Sequence, residues 1–167
     1  NYDPLAAGSP LVVFSADVAV APSTNGRKDA FEFTVRNLAG EELGAIRFDL
    51  ADLSLSRVDK GAAAGPVKAP AALVTGEVRR LVAMLDFGRN RWSASFGADV
   101  LWVEQPLTMR TGAALNLGDV SVVWRIATAG SPSDNFLSFD NYRIAVAEAA
   151  GIIAQPKPQA EIGRAHV

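Results

Sequence analysis

The chain has 167 residues, 49% of them hydrophobic, which is enough for one domain with a sizeable core and short for two. Its formal net charge of -2, with acidic and basic residues mixed along the whole length, supplies no basic stripe for nucleic acid and no cationic helix for a membrane surface. It contains no cysteine, which excludes disulfides, zinc–thiolate sites and cysteine nucleophiles, and its one histidine, His166, is the only residue on which a histidine-based triad or metal centre would have to be built.

The N-terminal half has the pattern of strands separated by turns. Residues 11–20, LVVFSADVAV, are rich in β-branched side chains and lie between two proline-containing breakers, which predicts a first strand. After a turn at 23–26, residues 31–36 alternate apolar and polar side chains, as expected for a strand with one buried face. Residues 37–42 close a hairpin, and its return strand is predicted at 43–50.

The C-terminal half continues this pattern after a segment rich in glycine, proline and alanine. That segment, 59–70, has no periodicity and is predicted to be a loop within one domain. Further strands are predicted at 77–86, 91–96, 99–104, 120–128 and 136–146, with a loop at 109–118. Closely spaced short strands without a helical stripe predict an all-β, antiparallel β-sandwich.

The last predicted strand contains one irregularity. Its apolar residues occupy odd positions as far as Phe139 and even positions from Tyr142 onward, so the phase slips between Asp140 and Asn141. A β-bulge explains such a slip. The bulge either aims Asp140 at a ligand or metal or simply bends the strand around the sandwich, and the pattern leaves both open.

Two stretches resemble a known superfamily. Residues 81–108, read as LVAMLDF, GRNRW, SASFGADV and LWVEQPLT, resemble the paired strands of concanavalin A-like jelly rolls, which include lectins, laminin-G-like modules and glucanases. The closing FLSFDNYRIAV resembles the last strand of that superfamily. The resemblance covers the C-terminal half, implies a jelly roll, and implies export by a bacterium to the medium or the cell surface.

Function does not follow from this fold, because it hosts binding modules, hydrolases and lyases alike. The related glucanases carry carboxylates at alternate positions of one strand, but here Asp49 with Asp52, and Glu41 with Glu42, have the wrong parity for one face. Lyases of this fold usually use histidine, tyrosine and arginine in the cleft, and that histidine is absent here, since the one histidine of the chain, His166, is second from its end. We therefore expect a non-catalytic carbohydrate-binding or adhesion module. The alternatives are a polysaccharide-cleaving hydrolase or lyase, and a purely structural domain of a larger surface protein.

The resemblance implies a structural calcium between the first and last strands. Asp140 matches its carboxylate, and Asp17 on the first strand is the expected second contributor. Calcium takes about six to eight oxygen ligands, so backbone carbonyls and water would supply the rest. In the alternative interpretation Asp140 accepts hydrogen bonds from turn amides, and Asp17 is a solvated strand residue.

Aromatic side chains are the candidates for stacking on sugar rings. The four considered are Trp92, Trp102, Trp124 and Tyr142. Most of them are expected in the core, and Trp124, in phase with the apolar residues of its strand, is predicted to be buried. Trp102 has an ambiguous parity and is the best candidate for an exposed ring.

Basic side chains are the candidates for contacting an acidic glycan. Arg89, Asn90 and Arg91 form a polar turn suited to such contact, although solvated arginines are the more ordinary explanation. Three further arginines lie on the polar faces of their strands: Arg36, Arg47 and Arg125. If these converged on one face, an acidic polysaccharide would be the leading ligand, but parity alone does not show convergence.

The sequence also predicts where the domain ends and what the terminal segments are. The sandwich is expected within 1–150 and a tail at 151–161. Residues 162–167, IGRAHV, resemble the translation of a sequencing adapter, which predicts a non-native tail and a metagenomic source; an ordinary polar tail is the alternative. The start at Asn1 suggests a mature form or a fragment, and no apolar run approaches the roughly 20 residues that span a bilayer.

Overall fold

The structure, a computed structural model, describes residues 3–61, 63 and 65–147, and this part of the chain forms two packed antiparallel sheets. The strands are β1 Leu11–Ala21, β2 Ala30–Arg36, β3 Glu42–Asp49, β4 Ser54–Asp59, β5 Val67–Ala72, β6 Arg79–Asp86, β7 Arg91–Phe96, β8 Asp99–Pro106, β9 Asp119–Arg125 and β10 Phe136–Val146. The first sheet has the order β10-β1-β6-β7-β8 and the second β5-β4-β3-β2-β9. The predicted all-β antiparallel sandwich is confirmed. The tails expected at 151–161 and 162–167 lie outside the described residues.

The core lies between the sheets, because alternate residues of each strand point inward. Val12, Phe14 and Val18 of β1 are buried in this way. Phe14 meets Phe33 of β2 across the interface, with ring centroids 5.4 Å apart. Each fully buried side chain of this size contributes about 1.5–3 kcal/mol of hydrophobic free energy, so these inward rows stabilise the sandwich. Within the described residues, no helix is long and apolar enough to cross a membrane.

The predicted loop at 59–70 is too long, because strands occupy both of its ends. β4 precedes it and reaches Asp59, and β5 begins at Val67, so only 60–66 connect the two strands. β4 is short and largely polar, which hides its period. β5 contains Pro70 but is an edge strand, where a proline is tolerated because only one side of the strand is paired.

The predicted bulge in β10 is confirmed. Ser15 pairs with Arg143 and Asp17 pairs with Asp140. Ala16, the one residue between them on β1, therefore faces two residues of β10, Asn141 and Tyr142. Asn141, one of those two, has a left-handed backbone with φ of 48°, a conformation that asparagine tolerates better than most residues. The bulge restores the apolar residues on both sides of it to the inner face.

Candidate functional site

The outer face of the second sheet carries a cluster of charged side chains. Because Phe31, Phe33 and Val35 point inward, Glu32 and Arg36 of β2 point outward. Cations from the neighbouring strands, and from the residue after β4, reach the same place. We call this set the charged cluster, and its members are Glu32, Glu42, Arg36, Arg47, Lys60 and Arg125.

Glu32 lies at the centre of the charged cluster and is only 3% exposed. Its Oε2 accepts a hydrogen bond of 2.8 Å from Nε of Arg125 and lies 3.7 Å from Nζ of Lys60. Its Oε1 accepts a longer bond, 3.5 Å, from Nη1 of Arg47. Burying a carboxylate is costly unless cations and donors compensate, and three cations do so here.

Glu42 is the second acceptor of the cluster. Nη2 of Arg36 lies 2.7 Å from its Oε1, and Nζ of Lys60 lies 2.8 Å from its Oε2. Burial alone would raise the pKa of Glu42, but the Lys60 hydrogen bond and the charges of Lys60, Arg125 and Arg36 outweigh it, so the pKa lies below its ordinary value. The carboxylate therefore stays ionised.

Arg125 joins the two acceptors. Its Nε contacts Glu32 and its Nη2 lies 3.4 Å from Oε1 of Glu42. Burial would lower the pKa of Arg125, but the two carboxylates more than offset this and raise it. Four cations face two carboxylates in the cluster, so it carries an excess of positive charge even though Asp49 also accepts from Arg47.

The backbone of Lys60 is tethered from the other sheet. Its carbonyl accepts hydrogen bonds from N of Met109 at 3.0 Å and from Oγ1 of Thr108 at 3.2 Å. Asn90 holds Thr108 in turn, donating to its carbonyl at 3.0 Å and accepting from its N–H at 3.1 Å. The position of this cation therefore depends on the loop after β8 and on the β6–β7 turn.

Thr34 is a buried polar residue on the same face. It follows Glu32 by two positions, is 0% exposed, and lies between Ser121 and Ala45 in the sheet register. Its hydroxyl has no hydrogen-bond partner among the described residues. Buried polar groups are nearly always paired, so this hydroxyl is a spare hydrogen-bonding group beneath the cluster.

A polar cavity of about 320 Å³ adjoins the charged cluster and shares Arg47 with it. Its other lining residues are Asp49, Asp52, Ser54, Ser56, Pro66 and Lys68. Lys68 donates to Asp52, and this hydrogen bond is the main reason why the pKa of Asp52 is lowered. The volume lies at the lower end of the range for small-ligand sites, and the lining offers both donors and acceptors to a hydroxyl-rich molecule.

The structure brings together the three strand arginines singled out from the sequence, Arg36, Arg47 and Arg125. Sequence reasoning missed Lys60, because its segment was predicted to be featureless loop. It also missed the central role of Glu32. The alternation of β2 already placed Glu32 on the polar face, but only the register with β3 and β9 shows which cations oppose it.

The predicted glycan-contacting turn lies on the first sheet. Among the described residues its arginines form no ion pair with the charged cluster, and Asn90 connects to the cluster only through Thr108 and the backbone of Lys60. Arg89 is exposed and pairs with Glu104 at 2.5 Å, and Arg91 donates to the carbonyl of Glu104 at 3.4 Å. Asn90 is committed to Thr108 and has a left-handed φ of 52°. A role for these three residues in binding glycan stays a prediction.

Two expectations about tryptophan exposure are wrong. Trp102 is 9% exposed, because the irregular β7–β8 pairing places it opposite Ala94 on the inner face, where its ring lies 5.0 Å from that of buried Trp92. Trp124 is 46% exposed, because β9 is an edge strand, and its Nε1 donates to Asp29.

Asp17 and Asp140, the predicted calcium ligands, are register partners. Asp17 accepts hydrogen bonds from Asn141 at 2.6 Å and from Arg80 at 3.0 Å, and these two donors lower its pKa. Asp140 accepts from the backbone of Asn141, and both carboxylates line a cavity of about 120 Å³. The residues described include no group of three or more metal-binding side chains, and Arg80 opposes a cation here, so calcium binding stays a prediction.

The two sheets define the class of fold, an all-β antiparallel sandwich whose architecture is similar to that of jelly-roll proteins, as the resemblance implied. No protein-family model matches the chain. A search of curated proteins also finds no match.

Solved structures match the fold at low sequence identity. A sialidase aligns with a TM-score of 0.59 and 9% identity over 84% of this chain and 14% of its own. A cysteine variant of alginate lyase A1-II′ aligns with 0.56 and 9% identity over 83% of this chain and 63% of its own. Trypanosoma rangeli sialidase with difluorosialic acid aligns with 0.53 and 12% identity over 82% and 21%. The chain thus spans less than two thirds of each, and the likeness concerns the fold alone.

Proposed function

We propose that this chain is a non-catalytic carbohydrate-binding module that holds an acidic polysaccharide on the outer face of its second sheet. The observation that carries the proposal is the convergence of Arg36, Arg47, Lys60 and Arg125 on that face. Guanidinium groups suit carboxylates and sulfates, because their planar N–H donors can bind two oxygens at once.

The neighbouring cavity supports a carbohydrate more than a small inorganic anion. It places the serine hydroxyls of β4 and the charged ends of Asp52 and Lys68 beside Arg47. A sugar residue there would exchange hydrogen bonds with these groups while its acidic neighbour lies over the cluster. The similar fold of an alginate lyase, and of a sialidase bound to difluorosialic acid, is consistent with this ligand class.

Polysaccharide cleavage is the second candidate, because Glu32 and Glu42 are paired carboxylates that share Lys60 and Arg125. A hydrolase needs one of its two carboxyl groups protonated as the general acid. The lowered pKa of Glu42 works against that role. Release of reducing ends or of unsaturated uronates from alginate or polygalacturonate by the chain would favour this candidate.

The proposal also includes a secreted or cell-surface location, where such polysaccharides occur, and the calcium site at Asp17 and Asp140. Calorimetric titration with calcium, and a melting curve in chelator, test the site. Its absence would leave the glycan proposal intact, since the charged cluster lies on the other sheet.

The test of the proposal is calorimetric titration of the chain with alginate and polygalacturonate oligosaccharides, with a neutral glucan as the control ligand. We expect saturable binding of the acidic ligands alone, weakened by salt. Arg36→Gln and Arg47→Gln should each weaken it about tenfold, the loss of one charge-assisted hydrogen bond. Arg27→Gln, which removes an exposed arginine outside the cluster, should change nothing. Absence of acidic-glycan binding by the folded chain, or full binding by both cluster variants, would overturn the proposal.

A further inference from the structure

One side of the sandwich exposes a row of apolar side chains. The edge strands β9 and β10 lie on this side, and the hydroxyl of Tyr142 donates to the carbonyl of Val120 across it at 2.8 Å. Six large apolar or aromatic residues there are 40–48% exposed: Trp124, Ile126, Phe139, Tyr142, Ile144 and Val146. Contiguous apolar surface of this kind marks an interaction site on a folded domain.

The edge strands on the other side of the sandwich are protected against pairing. β8 carries exposed Glu104, with a left-handed φ of 51°, and ends at Pro106. β5 is short and contains Lys68 and Pro70. By contrast, β10 is an edge strand of 11 residues without proline or lysine, which leaves its outer hydrogen-bonding groups available to another strand.

The bulge makes β10 complementary to a second copy of itself. In a regular strand, residues three apart point to opposite faces, but Asp140 and Arg143 pair with Asp17 and Ser15 of β1 and so share the outer face. Directly opposed residues of an antiparallel pair must also share a face. A two-fold axis between Asn141 and Tyr142 satisfies this requirement for the residues of β10 that precede the bulge and for those that follow it.

That register also places complementary side chains opposite each other on each face. On the outer face it sets Asp140 opposite Arg143 of the second copy. On the inner face it sets Phe139 opposite Ile144 of the second copy. Within the described residues, Asp140 has no ion pair, and the Arg143 side chain has no hydrogen bond or ion pair. The pairing therefore supplies both charges with a partner and covers apolar side chains.

We propose that this chain forms a two-fold symmetric dimer by antiparallel pairing of β10 with β10 of a second copy, which joins the two first sheets into one continuous sheet. The occupant of the apolar side is then the same side of the second copy. This inference is independent of the proposed glycan binding, because the charged cluster takes no part in it. It shares only Asp140 with the proposed calcium site.

Sedimentation equilibrium of the full 167-residue chain between about 1 and 100 µM, in chelator to exclude calcium effects, tests the dimer. We expect the mass of two chains at the upper concentration. Ile144→Lys should give a monomer, whereas Val103→Lys, at an even more exposed apolar position on β8, should leave the dimer unchanged.

A charge exchange tests the register. Asp140→Arg and Arg143→Asp should each raise the dimer dissociation constant about tenfold, and the double variant should return it to within about threefold of the original. Both side chains are exposed, so circular dichroism should show intact folds even if Ile144→Lys fails to fold. A monomer at 100 µM, or a dimer indifferent to the single charge variants, would overturn the proposal.

Discussion

Asp29 is the residue that ties the loop after β9 to the start of β2. It is 2% exposed, and its carboxylate accepts hydrogen bonds from Nε1 of Trp124 and from the backbone N–H groups of Ala127 and Ser133, at 3.0, 2.8 and 2.9 Å. Burial alone would raise the pKa of Asp29, but these three donors outweigh it and lower the pKa below its ordinary value.

Asp29→Ala should therefore lower the free energy of unfolding by about 3 kcal/mol, because it leaves three donors without their acceptor. A depressed native pKa means that the stabilisation is present above pH 3.8, the ordinary pKa, and is lost as the pH falls through the native value. Urea unfolding at pH 7 and pH 3 measures both effects. Glu77→Ala, at an exposed ion pair, should cost less than about 0.5 kcal/mol. Equal losses for both variants would show that Asp29 has no special role.

The two misjudged tryptophans show the limit of sequence reasoning at the scale of the residue. Parity along a strand assigns Trp102 and Trp124 to a face, but exposure also depends on where the strand lies in its sheet. An irregular pairing turned Trp102 inward, and an edge position left Trp124 half open. Neither the pairing nor the edge can be obtained from the spacing of apolar residues on one strand.

At the scale of the element, strands with a clear period were predictable and those without one were not. The bounds of β7 and β10 were obtained to the residue, and the bulge in β10 followed from a slip in that same period. β4 and β5 were missed because they are short, polar or proline-containing. That omission also hid Lys60, which β4 delivers to the charged cluster.

The turn after β4 offers a matched pair of glycines. Gly61 has a left-handed φ of 89°, and a Cβ there would lie 2.5 Å from the backbone N of Arg110. Gly65, four residues later, has no atom of the described residues within 4 Å of its Cβ position. Gly61→Ala should lower the free energy of unfolding by about 2 kcal/mol through strain and collision, and Gly65→Ala should be neutral or slightly stabilising. Urea denaturation of both variants checks this. Equal stabilities would mean that the turn can shift away from the loop after β8.

At the scale of the whole molecule, the sandwich could be predicted, and the meeting of its charges could not. The resemblance and the strand periods define two antiparallel sheets. The charged cluster, however, depends on β9 lying beside β2, although Arg125 and Glu32 are 93 positions apart in the sequence. Strand order is a property of the complete fold, so local patterns leave such a site invisible.

Glu32→Gln separates the structural role of the cluster from its proposed binding role. The change removes a buried negative charge from three cations, and we expect a loss of about 3 kcal/mol of unfolding free energy. It also increases the positive excess of the face, so the folded variant should bind acidic oligosaccharide about threefold more tightly. Chemical denaturation and calorimetric titration measure the two effects separately, with Glu104→Gln on the first sheet as the control. Weaker binding by the folded variant would argue that Glu32 itself contacts the ligand.

A phenylalanine in the core should contribute more to the free energy of unfolding than one on the exposed side of the sandwich. Alanine substitutions of Phe33 and Phe139 measure the difference. Phe33 is 1% exposed and its ring meets those of Phe14, Phe48 and Phe139, so Phe33→Ala should cost about 4 kcal/mol through lost burial and a cavity between the sheets. Phe139 is 47% exposed, and Phe139→Ala should cost about half as much in the dilute chain. If β10 pairs with a second copy, the loss of stability caused by Phe139→Ala should grow with protein concentration, because the variant pairs less well. The loss caused by Phe33→Ala should stay the same, because that variant keeps the pairing strand. Thermal unfolding at about 2 and 100 µM measures both. A concentration-independent cost at Phe139 would mean that this side of the sandwich stays open in solution.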